Sequence, residues 1–329
     1  MERSDLVYWL ALSDRAWLIP LAKIEQIVTE FHSLEPLWKA EPSYFYKLEL
    51  GDKTVSKFLQ YRNSVRLEDY LRLIGTLEKE EVNALKYVDE DYPHLLRNFG
   101  NYREDPPLVL FRKGSLLSLG EGVAIVGTRE CSHYGHMMAR RLGRAIAKAG
   151  YTVVSGLARG VDTEAHCGAL EIPRGKTVAV LAWMHPIYPP ENVELAKDIM
   201  ARGTLLAERF LKPESKFGNL TPGKFVERNR ITSGISRCTV AVESGVEGGT
   251  VHQVRIALAQ GRKVFALKPK SGNKRAMEGF KLFLSMGATP INSAKPVLEF
   301  LDKTKPQDRF RNGRIDSFYQ HQISALDKR

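Results

Sequence analysis

The sequence predicts an α/β protein: a doubly wound, mostly parallel sheet preceded by a small helical domain. Three observations carry this. Between residues 123 and 285, short Val/Ile/Ala-rich runs alternate with amphipathic stretches, as in a buried parallel sheet covered on both faces. Residues 5–31 and 55–75 instead space their apolar side chains for helices. Finally, the apolar run 123–126 stops at Gly127-Thr-Arg129, followed by Ser132, Tyr134 and Gly135, which reads as strand, turn and helix start.

In the first stretch Leu6, Trp9 and Leu10, then Leu18, Leu21, Ile24, Ile27, Val28 and Phe31, recur at helical intervals. Pro36, Pro42 and Gly51 punctuate the chain between the two helical stretches. The turn Arg15-Ala-Trp-Leu-Ile-Pro20 has no glycine, whereas a helical hairpin gripping a DNA backbone would want one there. A structural or partner-binding role is expected for this part. From 88 to 114 the chain turns irregular: Asp91-Tyr-Pro93 and Asp105-Pro-Pro107 flank one short apolar strand at 108–111, a connector packed on the next domain. Strands are then expected at 123–126, 152–154, 177–182, 204–207, 239–242 and 264–267. Helices are expected up to 148 and at 162–170, 191–200, 228–235, 250–260 and 275–285, with a long loop over 210–224. The expected division is a helical accessory domain at 1–87, the sheet domain with its extension at 88–302, and a polar, basic, flexible tail at 303–329.

Composition narrows the function. Hydrophobic residues make up 43% and charged residues 26%, which fits a globular chain with a sizeable core. No apolar run reaches the roughly 18 residues that span a bilayer, and the acidic start Met1-Glu-Arg-Ser-Asp5 lacks a signal-peptide pattern. Cys131, Cys167 and Cys238 are odd in number and far apart, so neither a disulfide framework nor a zinc site is expected, and the compartment reads as cytoplasmic. The net charge of +11 is unevenly spread: residues 1–100 hold 13 Lys+Arg against 17 Asp+Glu, so the excess lies in the sheet domain. A basic fold beside an acidic accessory domain suits a polyanionic partner.

Ligands of open α/β sheets sit beyond the carboxyl ends of the strands, and three unusual sequences fall there. In the first, Gly127, Thr128 and Arg129 with Ser132 and Gly135 offer backbone N–H groups, a hydroxyl and a guanidinium at a helix start, a cradle for phosphate. A nicotinamide fingerprint would need two more glycines and an acid after the second strand. The chain has Ser155 there, which excludes a dinucleotide oxidoreductase. The second is Ser155-Gly-Leu-Ala-Arg-Gly-Val-Asp162 with His166. Gly156 and Gly160 permit tight turns and Arg159 offers donors. Asp162 and His166, at i and i+4, form either an acid–base pair or a helix cap beside a histidine bonded within the turn. With no nucleophile or ligand cluster alongside, the structural reading is preferred. The third is Lys224-Phe-Val-Glu-Arg-Asn-Arg-Ile231. Here Lys224, Arg228, Asn229 and Arg230 supply phosphate clamps and Phe225 a stacking face, the combination that grips single strands. Gly248, Gly249 and Thr250 add a further glycine-rich turn into a helix.

In this order, strand-GTR-x-x-S-x-Y-G, SGLARGVD-x-x-AH, YPPEN and F-x-x-RNR-I-x-SG-x-S, the motifs resemble the DNA-processing protein A (DprA/Smf) family over about residues 88–302. The resemblance implies a Rossmann-like domain that binds single-stranded DNA in a basic pocket, as a homodimer. It further implies strand protection, loading of a RecA-type recombinase in natural transformation or recombination, and neither cofactor nor catalytic chemistry. Carried over by position, Gly127, Thr128 and Arg129 contact phosphate, Ser155 and Gly156 line the pocket, and Arg228, Asn229 and Arg230 form its second wall with Phe225 near a base. Two departures stand. Glu247-Gly-Gly-Thr250 replaces the family's serine-bearing turn, and about 27 residues after Asp302 are too few for the winged helix often found there.

Two other functions compete with DNA binding. Rossmann-like phosphoribohydrolases of the lysine-decarboxylase-like (LOG) type carry P-G-G-x-G-T-x-x-E, to which Gly248-Gly-Thr250 is similar. The glutamate position holds Gln253, which cannot act as the carboxylate. In an interaction scaffold, the acidic N-terminal domain would recruit the partner.

Overall fold

The computed structural model describes residues 3–14, 18–98, 100, 102, 105–115, 122–211 and 222–304. The basic tail expected after 303 and the middle of the long loop before 222 fall almost wholly outside these residues, as do Arg15, Ala16 and Trp17.

In chain order, helices α1 (Arg3–Ser13), α2 (Leu21–Phe31), α3 (Glu35–Lys39), α4 (Pro42–Lys47), α5 (Asp52–Ser64) and α6 (Leu67–Lys79) precede strand β1 (Asn83–Lys86). Next come β2 (Val109–Gly114), β3 (Gly122–Val126), α7 (His133–Lys148), β4 (Thr152–Ser155), α8 (Val161–Leu170), β5 (Thr177–Leu181), α9 (Val193–Arg202) and β6 (Thr204–Ala207). The chain then forms α10 (Pro222–Gly234), β7 (Ser236–Ala241), α11 (Gly249–Ala259), β8 (Lys263–Leu267), α12 (Lys274–Ser285), β9 (Thr289–Ile291) and α13 (Lys295–Lys303). Two compact units result: Met1–Ala16 with Arg66–Pro296, and Trp17–Val65 with Val297–Arg329. The boundary read from the sequence at residue 87 falls elsewhere, because α1, α6 and β1 cluster with the sheet.

In the first unit, the sheet order is β1-β2-β6-β5-β4-β3-β7-β8-β9. From β6 to β9 all neighbours are parallel, while β2 is antiparallel to both β1 and β6. The mostly parallel, doubly wound sheet expected from the sequence is therefore present. Its central strands are buried on both faces, so they carry near-continuous apolar runs instead of alternation. The connector strand expected at 108–111 does more than pack on the domain: Phe111 pairs with Ala207 and Gly114 with Thr204, extending the sheet by one strand. Strand β1 escapes sequence reading because four residues after a helix carry too little alternation. Near it, Asp5 of α1 accepts from Trp9 Nε1 at 3.0 Å and pairs with Lys86 Nζ at 3.2 Å, tying α1 to β1.

Chain order runs outward from β3 through β4, β5 and β6, then restarts at β7 on the other side of β3. Between β3 and β7 the connections diverge and leave a crevice at the carboxyl ends. The helices above β3 and β4 meet without side chains between them. A Cβ at Gly143 of α7 would strike the Ala165 carbonyl, and one at Gly168 of α8 would strike the Arg140 carbonyl.

The second unit contains α2 to α5. Pro36 and Pro42 open α3 and α4 in the first turn, where a missing N–H costs nothing. Phe58 packs 5.7 Å from Trp38 and 5.5 Å from Phe45, and Arg62 Nη1 donates to the Ala40 carbonyl at 2.7 Å. The single helix expected over 55–75 is two helices, with Val65 and Arg66 extended between them. Each half buries its own face: Val55 and Phe58 in α5, Ile74 and Leu77 in α6.

Gly168→Ala should lower the thermal midpoint by the equivalent of about 1–3 kcal/mol, because only backbone movement makes room for the methyl. Calorimetry on the purified variant checks this; an unchanged midpoint would show that the crossing has slack.

Candidate functional site

A cavity of about 600 Å³ occupies the crevice between β3 and β7. The turn after β3, the loop after β4, the turn after β7, helix α10 and the start of α11 enclose it.

The turn after β3 contributes Gly127, Thr128 and Arg129 to the wall. Gly127 has no alternative, since a Cβ would lie 2.5 Å from the Val161 side chain. Thr128 N donates to the Glu243 carbonyl at 2.8 Å, and Val161 N donates to the Thr128 carbonyl at 3.3 Å. The turn is thus pinned between the exit of β7 and the start of α8. Arg129 is exposed and makes no ion pair among the described residues; its guanidinium lies 5.5 Å over the Phe225 ring.

Ser132 does not line the cavity. It caps α7, accepting from Gly135 N at 3.1 Å, and its hydroxyl donates to Glu243 Oε2 at 2.7 Å. The other oxygen of Glu243 accepts from Ser132 N and Asn273 Nδ2, both at 3.1 Å. Gly135 leaves room for this carboxylate, which a Cβ would approach to 2.5 Å. Glu243 therefore explains two residues that the sequence had marked for phosphate or for the turn.

Ser155 is fully buried and donates to the Ile125 carbonyl at 2.7 Å, so it braces β4 against β3 without lining the cavity. Gly156 does line it. Asp162 departs from the expected cap: Gly160, at φ 73°, holds the N-cap position. The buried carboxylate turns back to accept from Gly156 N at 3.1 Å and Ala158 N at 3.4 Å. Burial raises its pKa, opposed by Arg228 and these hydrogen bonds. Arg159 pairs with Glu191 at the surface and borders a recess of about 30 Å³ beside the main cavity.

His166 bonds across to β5 and not within its own turn. Its Nδ1 lies 2.7 Å from Thr177 Oγ1, which itself donates to the Val153 carbonyl at 2.9 Å. The hydroxyl proton is therefore committed, so Nδ1 carries the hydrogen and donates. Burial, then the nearby Arg228 charge, push its pKa down to about 3. A neutral, sealed imidazole cannot serve as an acid–base partner of Asp162. Above its ordinary value of 6.5 it is neutral in both the folded and the unfolded chain. Below that, the unfolded chain takes a proton that the fold refuses, so stability falls as pH drops from 6.5 towards 3. His166→Gln should show a shallower loss over that window in urea melts taken pH by pH; parallel curves would contradict the assignment.

On α10 the Arg-Asn-Arg run does not form one wall. Arg228 Nη1 donates to the Gly156 carbonyl at 2.9 Å and makes a closer contact with the Val180 carbonyl. Arg228 thus faces the cavity yet ties the loop after β4 to β5, and burial lowers its pKa. Its Nε is sealed from solvent without a partner. Asn229 also lines the cavity and donates to the Gly249 carbonyl at 3.3 Å. Arg230 points away, as the 100° step along a helix requires, and grips Glu208 through both nitrogens at 2.9 and 2.8 Å. Burial raises the Glu208 pKa, but Arg230 overrides it and the net shift is downward. Arg230 is consequently a structural residue, a correction to its place in the second wall. Glu208→Gln should cost about 3 kcal/mol in denaturant melts by removing the carboxylate charge that both nitrogens of this buried guanidinium grip; a loss near zero would refute the assignment. Lys224, outside the cavity lining, pairs with Glu227 at 2.7 Å. Phe225 lines the cavity and packs against Trp183 at 5.2 Å and Tyr188 at 5.7 Å.

Gly248, Gly249 and Thr250 open α11 onto the cavity, with Gly248 at φ 104°. Sequence reading missed Ser244, Gly245 and Arg275. The first two follow the end of β7 by three and four residues and carry no motif, while Arg275 comes from α12 and joins the rim by lying 2.9 Å from where a Gly245 Cβ would be. Arg275 is exposed and, like Arg129, has no ion pair among the described residues. The described residues contain no group of three or more potential metal ligands.

The fold and site define a Rossmann-like protein with a cavity at its strand-order reversal whose rim carries Arg129 and Arg275 beside Glu130 and Glu247. Residues 83–302 match the DNA recombination-mediator protein A family, and the chain belongs to that family. It is 34% identical to Protein Smf of Synechocystis over 310 residues, 92% of this chain and 74% of that one. It is 31% identical to the DNA processing protein DprA of Bacillus subtilis over 307 residues, 90% and 98% of the two chains. Among solved structures it resembles DprA of Streptococcus pneumoniae, with TM-score 0.69, 25% identity and coverage of 89% and 97%. It also resembles the Helicobacter pylori protein, with TM-score 0.56, 25% identity and coverage of 68% and 96%. That structure was solved in work on the protein's single-stranded DNA binding mode. Among the described residues no helix is long and apolar enough to cross a membrane.

Proposed function

We propose that this member of the family binds single-stranded DNA in the cavity between β3 and β7. The observation that carries the reading is the pair of exposed guanidiniums, Arg129 and Arg275, which make no ion pair among the described residues and stand on the rim of a cavity walled by Phe225. Unpaired surface cations attract backbone phosphates without regard to sequence, and an aromatic wall offers a base a face to stack on. Three arginines of the lining, Arg129, Arg228 and Arg275, stand against three carboxylates, Glu130, Asp162 and Glu247, so the attraction for phosphate rests on where the two rim guanidiniums are placed and not on a net charge of the cavity. Family membership further supports protection of incoming or processed strands, delivery to a RecA-type recombinase and action as a homodimer in the cytoplasm.

The chain reads as a binder without catalytic chemistry. Hydrolysis of nucleotides by a LOG-like mechanism is disfavoured by Gln253: its amide is buried and donates to the Asn229 carbonyl at 3.0 Å, bracing α11 against α10. Release of free base from nucleoside monophosphates would revive that reading.

Arg129→Ala should weaken binding to strands of unrelated sequence equally and reduce the slope of log K against log salt by about 0.7. Fluorescence anisotropy across a salt titration measures both. Wild-type slopes in the variant would move the binding site away from this cavity.

A further inference from the structure

Beyond the cavity, the loop joining β8 to α12 presents Lys268, Lys270, Lys274 and Arg275 within eight residues, all exposed. None of the four has an ion-pair partner among the described residues. Elsewhere on this unit several exposed cations are matched: Arg159 with Glu191, Arg140 with Glu171, Lys197 with Glu194. Glu243 is beside the loop, yet its oxygens are taken by Ser132 and Asn273.

The loop is also held in place. Asn273 caps α12 by accepting from Ala276 N at 3.0 Å while its amide donates to Glu243. At the other end, Tyr134 of α7 donates to the Lys268 carbonyl at 3.5 Å. Because β8 runs parallel to β7, the loop leaves the sheet at the same edge as the cavity, and Arg275 belongs to both. Lys274 and Arg275 stand at the positive end of the α12 dipole, where cations are unfavourable, so the local field is left uncompensated.

We propose that the β8–α12 loop is a second contact surface, taking the phosphates of the same strand where it leaves the cavity past Arg275. The occupant is a flexible polyanion, because the four cations lie along a line of backbone and enclose no pocket of their own for a small ligand. This inference rests on the cavity being the DNA site.

The test compares a short oligothymidylate of about four nucleotides, enough to fill one site, with one several times longer. Wild type should bind the longer strand more tightly and with a steeper salt slope. The triple variant Lys268→Gln/Lys270→Gln/Lys274→Gln should lower the slope for the longer strand by about 2 and leave the short one unchanged. A control, Lys148→Gln/Lys176→Gln/Lys263→Gln, removes the same charge at the amino ends of the strands and should change neither. An unchanged slope in the first variant, or an equal loss in the control, overturns the proposal. Full binding of both lengths by Arg129→Ala, with the loop variant still impaired, would instead overturn the cavity reading and place the strand on the loop alone.

Discussion

The carboxylate of Glu243 holds the site together. It stands just past the end of β7 and takes three hydrogen bonds, two from Ser132 at the start of α7 and one from Asn273 at the start of α12. Its own carbonyl receives Thr128 N. One residue thus fixes the turn after β3, the cap of α7 and the cap of α12. The strand-order reversal puts these three ends side by side, and Glu243 sets their spacing. Arg129 and Arg275, on two of the elements so fixed, are rim cations that make no ion pair among the described residues.

Much of the fold was legible because its physics is local. A strand buried on both faces needs a run of Val, Ile, Leu or Ala, and a tight exit needs glycine, so the runs at 123–126 and 177–181 and the turn at Gly127 announce themselves. What failed was whatever depends on a distant partner. Nothing near Arg230 indicates that Glu208, 22 residues earlier, will claim it. Ser132 and Gly135 look like a phosphate turn until Glu243 arrives 111 residues later. Arg275 carries no motif because it reaches the cavity from a helix that begins beyond the next strand. Asp162 was misplaced for a subtler reason: the sequence shows that a helix begins there, but not that Gly160 takes the cap and frees the carboxylate to close the loop behind it.

The separation of roles within Arg-Asn-Arg comes from helical geometry and has a functional reading. Adjacent arginines on a helix cannot serve one ligand equally, since each step turns the side chain by about 100°. The fold uses the divergence. Arg228 spends its donors on two carbonyls that shape the cavity, and Arg230 fastens α10 to Glu208 beyond β6. Under the proposed function, contact with the strand falls to Arg129 and Arg275, cations without an ion pair among the described residues.

The bare crossing of α7 and α8 bears on how the site can move. Helices separated by side chains can slide as those side chains change rotamer, whereas Gly143 and Gly168 set backbone directly on backbone. The turn that begins α7 and the loop that begins α8 are therefore two edges of one stiff plate. Gly160 repeats the arrangement at the cavity itself, since a Cβ there would strike the Thr128 and Arg129 carbonyls, so the turn that carries Arg129 and the loop behind Gly156 are set backbone on backbone as well.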